Sequence, residues 1–352
     1  MSERTTVLDE RRPRKKKRRG LAVLITVVSL VVVAALVAGL YIWNIGRTFD
    51  EKSQRLPDAF PAEETRPEVK DESKDAVNIL LLGSDTREQR SEGEDEGFAT
   101  LPNGGRSDTM MLVHIPADRD DIFVTSIMRD TWLDIPGVGT AKINRAFASG
   151  GVPKAVETLE NLFGVRINHV ASIDFEGFKG MTDAVGGVTI DNPIAFRPVH
   201  NKNYYFPSGV QTLNGEEALV FVRERKTFTG PGGSDYQRVK NQQLFVKALL
   251  SQIISKDTLT SPSKVSSVVN EMAPFIAVDD SLDAGTIAKL ASGMLDIRSS
   301  DMTFFTLPNK GPGRSADGQS IVIPDMEVIN DFGRALQDDK VDEFVASTDL
   351  SR

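Results

Sequence analysis

The stretch FVRERKTFTGPGGSDYQRVKNQQ, residues 221–243, concentrates side chains that can bind an anion. It contains five cations, Arg223, Arg225, Lys226, Arg238 and Lys240, and one aspartate, Asp235, lies between them. Asp235, Arg238 and Gln242 are spaced i, i+3 and i+7, so they share one face at the start of a predicted helix, where the helix terminus also favours anions. The pattern predicts a pyrophosphate site in which Asp235 either orients the arginines or accepts a proton from an attacking hydroxyl. The alternative is a solvated basic helix face.

Other charged residues flank three apolar runs that are typical of buried strands. Asp85 follows NILLLG, Arg106 and Asp108 precede TMMLVHI, and Arg129 and Asp130 follow DIFVTSIM. Ligand sites in α/β sheets lie beyond the carboxyl ends of the strands. Two carboxylates, Asp85 and Asp108, match the number that Mg²⁺ usually takes from a protein, and arginine forks match phosphate oxygens. Structural Arg–Asp pairs are the alternative.

Lys142, in the segment KINRAF, is a further candidate anion contact. Several other kinds of site are excluded or disfavoured. The 352 residues contain no Cys, and the three histidines have no spacing typical of a zinc site. The chain also lacks GxxxxGK[ST] and GxSxG, so a P-loop enzyme is excluded and no Ser/His/Asp triad can be argued.

These candidate residues are separated by alternating strand and helix patterns. Short Val/Ile/Leu-rich runs predict strands, and runs with an apolar face at helical spacing predict helices. The strands are expected at 77–83, 109–115, 121–128, 170–175, 186–190 and 217–223, with late strands in MTFFTLP and SIVIP; the helices are expected at 151–164, 234–255, 261–297 and from about Asp325. This alternation predicts one three-layer α/β domain with a mostly buried central sheet.

The first 75 residues have a different composition. Residues 1–20 carry nine Lys/Arg and three Asp/Glu, and residues 21–43 are uncharged and apolar. Twenty-three residues make about 35 Å of helix, enough to span a bilayer, so they predict an uncleaved transmembrane anchor with the basic tail in the cytoplasm. A cleaved signal peptide is the alternative. Residues 44–75 are polar and aperiodic, which predicts a flexible linker before a domain at 76–345.

The charge balance bears on partners. The tail contributes +6 to a net charge of −8, so the remainder carries −14. A domain this acidic is not expected to bind nucleic acid. Any anion must therefore be held by a local cluster of cations.

Taken together, the motifs resemble the LytR-CpsA-Psr family of bacterial cell-envelope proteins. The resemblance covers residues 76 to about 345 and consists of short blocks in a fixed order: NILLLGSDTR, GRSDTMMLVHI, SIMRDTWLDIPG, KINRAF, FEGF with VGGV, LNGEEALVFVRER and DYQRVKNQQ. Two features depart from the family pattern. Met128 stands where proline is frequent, and residues 86–105 form an acidic insertion.

The resemblance implies a fold and an activity. The fold is an α/β/α sandwich around a mixed central sheet, preceded by one N-terminal transmembrane helix, with the catalytic domain outside the cell membrane. The activity is a Mg²⁺-dependent phosphotransferase that moves a glycopolymer from a polyprenyl-pyrophosphate carrier onto peptidoglycan through a phosphodiester bond. A lipid-pyrophosphate sensor without turnover and a polyprenyl-pyrophosphate hydrolase are the alternatives.

The resemblance also implies roles for individual residues. Asp85 and Asp108 match the magnesium ligands, and Asp235 and Gln242 match residues that support the arginines. The matches to pyrophosphate contacts are Arg106, Arg129, Lys142, Arg223, Arg225 and Arg238. Among these, Arg129, Asp235 and Arg238 are the predicted catalytic residues. The general base is left open between Asp235, Asp130 and a metal-bound hydroxide.

Overall fold

The computed structural model describes residues 40, 43–84, 107–229, 233–255, 258 and 261–350. The chain divides into two compact units, residues 1–45 and 46–352. The predicted anchor at 21–43 and the insertion at 86–105 lie outside the described residues, apart from Leu40 and Trp43. Among the described residues, no helix combines the length and apolar character needed to cross a membrane. The architecture below is that of the second unit.

A seven-stranded sheet forms the centre of this unit, in the order β1-β10-β7-β2-β3-β4-β11. Its strands are β1 (Gln54–Leu56), β2 (Val77–Ser84), β3 (Ser107–Ile115), β4 (Ile122–Ile127), β7 (His169–Asp174), β10 (Ala277–Asp279) and β11 (Met302–Thr306). Strands β2 and β7 are parallel, as are β4 and β11, whereas β3 runs antiparallel to both β2 and β4. The predicted mixed central sheet is therefore confirmed.

The described helices have the following bounds: α1 (43–52), α2 (Asn144–Phe163), α3 (Phe175–Ala184), α4 (Gly215–Arg223), α5 (Gly233–Ile253), α6 (Pro262–Met272), α7 (Ala284–Gly293), α8 (Met326–Gln337) and α9 (Val341–Ser347). Three hairpins complete the unit: β5 (Trp132–Ile135) with β6 (Gly139–Lys142), β8 (Val188–Asn192) with β9 (Gly209–Leu213), and β12 (Asn309–Arg314) with β13 (Ser320–Pro324).

Both faces of the sheet are covered, because side chains along a strand alternate between faces. Met110 and Leu112 of β3 pack with α2, α8 and α9. Met111 and Val113, the alternate residues, pack with α5 and α7. Strands buried on both faces need apolar residues at nearly every position, which explains the continuous run TMMLVHI.

Helix α2 illustrates how local sequence sets an element's bounds. It begins at Asn144 and ends before Gly164, which caps it in the left-handed conformation at φ 65°. Gly151, at φ 64°, kinks the helix just before Pro153, so the predicted start at 151 marks the second of two merged segments. Glycine suits both positions because it has no Cβ to clash at positive φ.

The predicted flexible linker at 44–75 is wrong for much of its length. Residues 43–52 are helical, and β1 adds an edge strand to the sheet by pairing in parallel with β10. Arg66 reaches the core, where its Nη2 lies 2.6 Å from Glu160 Oε1; the two side chains are 11% and 1% exposed. Backbone pairing and one buried ion pair hold this polar segment on the domain, so it does not need an apolar pattern of its own.

Two further predictions need correction. Residues 217–223, expected as a strand, belong to helix α4. The Asn214 side chain caps α4 by accepting a hydrogen bond from the Glu217 amide. The Glu217 carboxylate in turn accepts a hydrogen bond from the Asn214 amide. This capping box favours a helix where the apolar run ALVFV is also compatible with a strand. The helical region predicted at 261–297 is interrupted by β10, whose three residues are buried.

Candidate functional site

Four strands of the sheet end at the same edge, which we call the carboxyl edge. Ser84 of β2 pairs with Asp174 of β7, and Ser126 of β4 pairs with Thr306 of β11. Because β2, β4, β7 and β11 run in one direction, the residues that follow them emerge together. Arg129 follows β4 at this edge, as expected for a ligand site in a mixed α/β sheet.

The turn after β4 fixes the backbone of Arg129. The Thr131 amide and hydroxyl both donate to the Met128 carbonyl, at 2.9 and 2.6 Å, and the Asn144 amide donates to the Arg129 carbonyl at 3.2 Å. Met128 is 2% exposed and packs against Val239 of α5. Methionine at this position therefore leaves the turn well defined, although proline is frequent there in the resembling family.

Asp130 lies between two cations. Its Oδ1 is 3.3 Å from Lys142 Nζ and 3.9 Å from Arg129 Nε, and all three side chains are about a quarter exposed. Lys142 is brought there by the β5–β6 hairpin, in which it pairs with Trp132. This Arg129 cluster, defined as Arg129, Asp130 and Lys142, carries one net positive charge at the carboxyl edge.

Asp235 occupies the same kind of position in a second group, the Arg238 cluster, defined as Arg225, Asp235 and Arg238. Asp235 Oδ1 lies 2.9 Å from Arg238 Nη2 and 3.4 Å from Arg225 Nε. Arg238 is 4% exposed, Asp235 20% and Arg225 37%. A buried guanidinium requires a nearby negative charge, and Asp235 supplies it while one positive charge is left over for a ligand.

Side-chain hydrogen bonds dock α5 against the carboxyl edge. Gln242 Nε2 donates to the Val222 carbonyl at 3.4 Å, and Asn241 Nδ2 donates to the Phe221 carbonyl at 3.3 Å. Gln243 Nε2 reaches Ser126 Oγ at 3.0 Å, at the end of β4. Gln242 is thus a positioning residue that holds α5 to α4, the helix that leads into Arg225.

Arg223 points elsewhere. It is exposed, and its guanidinium carbon lies 4.1 Å from the centroid of the Phe175 ring, at the start of α3. The expectation that Arg223 and Arg225 project to one side depended on an extended backbone. Since Arg223 is the last residue of α4, the two side chains diverge, with Arg225 at Asp235 and Arg223 above an aromatic face. The cation–π contact keeps Arg223 near the end of β7.

Of the two predicted magnesium ligands, only the backbone of Asp108 lies among the described residues. Asp85 and Arg106 lie outside the described residues, and of Asp108 only the backbone, in β3, is described. Met110 of β3 pairs with Ile127 of β4, and the two strands are antiparallel. Asp108 comes two residues before Met110, and Arg129 comes two residues after Ile127, so both lie at the same end of this strand pair. Asp108 therefore lies at the start of the strand next to Arg129. Within the described part of the chain, no group of three or more acidic or histidine residues could hold a metal ion.

Sequence reasoning missed Tyr236 and Asn309. The Tyr236 hydroxyl donates to Asn309 Oδ1 at 2.5 Å, which links α5 to the start of β12. Burial raises the pKa of the Tyr236 hydroxyl, and the negative charge of Asp235 raises it further, so the hydroxyl stays a donor at neutral pH. The sequence gives only a weak signal, a tyrosine in the first turn of a charged helix, because Asn309 is 73 residues away.

The two clusters together suit one kind of ligand. Each has a carboxylate held between two cations, and two of the three guanidinium groups belong to residues that are largely buried or fixed by a turn. Arginine forks bind phosphate oxygens through two parallel hydrogen bonds, so a diphosphate could contact both clusters. The histidines offer no comparable function, since the buried His114 and His169 face Asp339 and Asp279 in the fold interior.

Comparison with known proteins gives consistent results. The LytR_cpsA_psr family model matches residues 43–338. The chain is 30% identical over 328 residues to the polyisoprenyl-teichoic acid–peptidoglycan teichoic acid transferase TagU of Oceanobacillus iheyensis, covering 91% of this chain and 94% of that protein. It is 29% identical over 291 residues to the cell wall biosynthesis protein LcpA of Corynebacterium glutamicum, covering 73% of this chain and 55% of that longer protein.

A solved structure supports the fold. The structure of TagV from B. subtilis superposes with a TM-score of 0.62 at 24% identity, over 76% of this chain and 98% of that one. The family match begins at residue 43, upstream of the predicted domain start at 76, in agreement with β1 pairing with β10 in the central sheet. The resemblance inferred from the short motifs is confirmed, and the chain belongs to the LytR-CpsA-Psr family.

Proposed function

We propose that this protein is a phosphotransferase that moves a glycopolymer from a polyprenyl-pyrophosphate carrier onto peptidoglycan and leaves a phosphodiester bond. The observation that carries the proposal is that both clusters lie at one end of the sheet, where Met128, next to Arg129, packs against Val239, next to Arg238. Family membership supports the reaction class, because a relative that aligns over 91% of this chain is named as a transferase acting on polyisoprenyl-linked teichoic acid and peptidoglycan.

The chemistry required of the protein is mainly positioning and charge neutralisation. A hydroxyl oxygen of the acceptor glycan attacks the phosphorus that bears the glycopolymer. The bond between that phosphorus and the bridging oxygen breaks, and polyprenyl phosphate leaves with the bonding electrons. The proton of the hydroxyl is released as the new P–O bond forms. Negative charge grows on the leaving phosphate, so fixed guanidinium groups lower the barrier when they contact its oxygens.

The geometry supports a distinct task for each of the named residues. Arg238, nearly buried and held by Asp235, is the most rigid cation and the best candidate for the leaving phosphate. Arg129 and Lys142 approach from the other cluster and contact the second phosphate. Asp235 receives two guanidinium contacts, an arrangement suited to orienting arginines.

We further propose that Mg²⁺ binds between Asp85 and Asp108. Two carboxylates plus phosphate oxygens form the donor set that this ion prefers, and Asp108 stands at the start of the strand beside Arg129. When bound, the ion would add positive charge beside the pyrophosphate.

We propose the cell membrane as the location, with residues 21–43 as a single anchor and the domain outside. The basic block before the apolar segment supports this orientation. A lipid-linked donor is confined to the membrane, so anchoring would raise the rate of encounter.

One experiment separates this function from its alternatives. Purified full-length protein is incubated with a polyprenyl-pyrophosphate-linked glycopolymer, with and without peptidoglycan, and polyprenyl phosphate and glycan-linked polymer are quantified. A transferase gives both products only with peptidoglycan present. Release of polyprenyl phosphate without an acceptor would identify a hydrolase, and binding without any product would identify a sensor.

A further inference from the structure

A cavity of about 1100 Å³ opens beside α5 and takes no part in the chemistry described above. It is bordered by residues 194–196, 227–229, 308–312 and 348–350 and by Thr306, Asp325 and Val328. Tyr236, Gln237 and Lys240 line it from α5. Its volume exceeds the range of about 300–1,000 Å³ usual for small-molecule pockets, so it suits part of an extended ligand.

The lining of this α5 cavity differs in chemistry from the arginine clusters. It offers an amide and a hydroxyl from Gln237 and Tyr236, a second amide from Asn309, and the ring of Phe228. Amide and hydroxyl groups both donate and accept, as sugar hydroxyl and N-acetyl groups require, and aromatic rings pack on sugar faces. The described lining contains no arginine, so it lacks the fork geometry expected for a pyrophosphate.

Two lysines that can bind carboxylates line the cavity, together with two aspartates, Asp325 and Asp349. Lys240 is exposed and has no ion-pair partner among the residues that the structure describes. Lys310 is 59% exposed, with Nζ 3.6 Å from Asp325 Oδ1. Ammonium groups on flexible stems bind carboxylates that vary in position, such as those on peptide side chains of a polymer.

The cavity and the Arg238 cluster share one helix. Asp235, Arg238 and Gln242 lie on one side of the first turns of α5, whereas Tyr236, Gln237 and Lys240 lie on the other. A helix with its side chains is about 10–12 Å across, so a ligand in the cavity must extend past the helix start to reach the arginines. A polymer can do this, but a small molecule cannot.

We propose that the α5 cavity binds the acceptor, a peptidoglycan glycan strand, with its sugars against Tyr236, Gln237 and Asn309 and its peptide carboxylates at Lys240 and Lys310. This inference rests on the proposed transferase function, since a transferase needs a second substrate site beside the first. The assignment gives Lys240 a role although it lies off the face that Asp235, Arg238 and Gln242 share.

The test measures glycan binding alone, without donor or turnover. Full-length protein in detergent micelles is titrated by calorimetry with short, uncrosslinked peptidoglycan strands that carry their peptides. The variant Lys240→Ala/Lys310→Ala should bind about tenfold more weakly, the effect expected for lost charged hydrogen bonds. The matched control Lys264→Ala/Lys289→Ala removes two exposed lysines outside the cavity and should bind like the wild type.

A second titration uses strands from which an amidase has removed the peptides. Wild type and Lys240→Ala/Lys310→Ala should then bind equally weakly, because the lysines have lost their carboxylates. Tyr236→Phe should weaken binding of both kinds of strand by a few-fold. Thermal unfolding of each variant confirms that it is folded.

Three outcomes would overturn the assignment: equal binding of intact strands by wild type and Lys240→Ala/Lys310→Ala, no binding of strands by the wild type, or lysine-dependent binding of the lipid-free donor glycopolymer in place of the strands. None of these depends on catalysis. Failure of the proposed function itself would appear as absence of donor turnover in the separate transfer assay, so the two failures are distinguishable.

Discussion

Arg238 and Asp235 form an ion pair across one turn of α5, with Nη2 and Oδ1 2.9 Å apart and the side chains 4% and 20% exposed. Arg334 and Asp331 form a pair with the same spacing on α8, where the side chains are 67% and 50% exposed. Water screens the exposed pair, so it contributes little to the stability of the fold. The buried pair instead fixes the direction of the Arg238 guanidinium. The two pairs therefore provide a matched comparison between a buried and an exposed arginine.

Arg238→Lys tests the phosphate site. Lysine keeps the charge but loses the planar fork, so it cannot satisfy both Asp235 and a phosphate oxygen in the same geometry. A hydrogen bond to a charged group contributes about 1.5–3 kcal/mol, so transfer should fall by about ten- to a hundredfold. The measurement is release of polyprenyl phosphate with peptidoglycan as acceptor.

Arg334→Lys is the control for this substitution, because it makes the same chemical change in an exposed pair. Its activity should stay within about twofold of the wild type. Full activity in both variants would show that the Arg238 cluster is a structural ion pair and that the donor binds elsewhere.

Asp235→Asn tests the role of the carboxylate. The substitution keeps the shape but removes the charge that compensates Arg238, so the free energy of unfolding should drop by about 1–3 kcal/mol in urea titrations. If Asp235 orients the arginines, Asp235→Asn lowers the rate of transfer but leaves the shape of its pH dependence unchanged. Asp235→Glu, which keeps the charge, then restores part of the rate. Loss of the fall in rate at acid pH in Asp235→Asn alone would instead identify Asp235 as the proton acceptor, because a general base acts only when deprotonated.

We expect magnesium binding to depend on Asp85 and Asp108. Asp85→Asn and Asp108→Asn should each weaken Mg²⁺ binding on the order of tenfold or more, the scale seen when groups around a metal are altered. Calorimetry with MgCl₂ on the full-length protein measures this without donor. Asp134→Asn, an exposed carboxylate on β5, serves as the control. Unchanged affinity in both test variants would leave the two carboxylates with structural roles only.

Much of the sheet could be predicted from sequence because its strands are buried on both faces. TMMLVHI and IFVTSI contain no Asp, Glu, Lys or Arg and are mostly Val, Ile, Leu, Met and Phe, as expected for strands buried on both faces. Arg129 could be placed for the same reason, since it follows such a run directly. The first turn of α5 was also predictable, because Asp235 and Arg238 are close in sequence and their spacing fixes their geometry.

The remainder depends on contacts between distant segments. Helix α4 resembles a strand in sequence, since five apolar residues in a row lack a diagnostic period; the local signal for a helix is the Asn214–Glu217 capping box. The link between Arg66 and Glu160 spans 94 residues and has no local signal. The α5 cavity is assembled from separate loops and a helix, so only the folded chain reveals it.

The proposed membrane topology is tested by protease protection. If residues 21–43 anchor the chain with its carboxyl end outside, protease added to intact protoplasts should degrade residues 44–352. A marker protein from the cytoplasm provides the control for protoplast integrity. A domain that remains intact until the membrane is lysed would show that the orientation is reversed.

Stability at acid pH should depend on Asp279, which ties β10 to β7. Burial raises the pKa of the Asp279 carboxyl, but hydrogen bonds from His169, Ser281 and the Val170 amide lower it more, so the net pKa lies below its ordinary value. A carboxyl with a lowered pKa in the folded state stabilises the fold above its unfolded pKa, about 3.9, and this contribution is lost as the pH falls through the folded pKa.

Asp279→Asn removes the titrating group and should be less stable than the wild type by about 1–3 kcal/mol at pH 7. The difference between the two proteins in urea unfolding should shrink as the pH falls below about 4. Asp280→Asn, next to it and exposed, should follow the wild type at every pH. A difference between Asp279→Asn and wild type that stays constant from pH 7 to acid conditions would show that the ionised carboxylate does not stabilise β10.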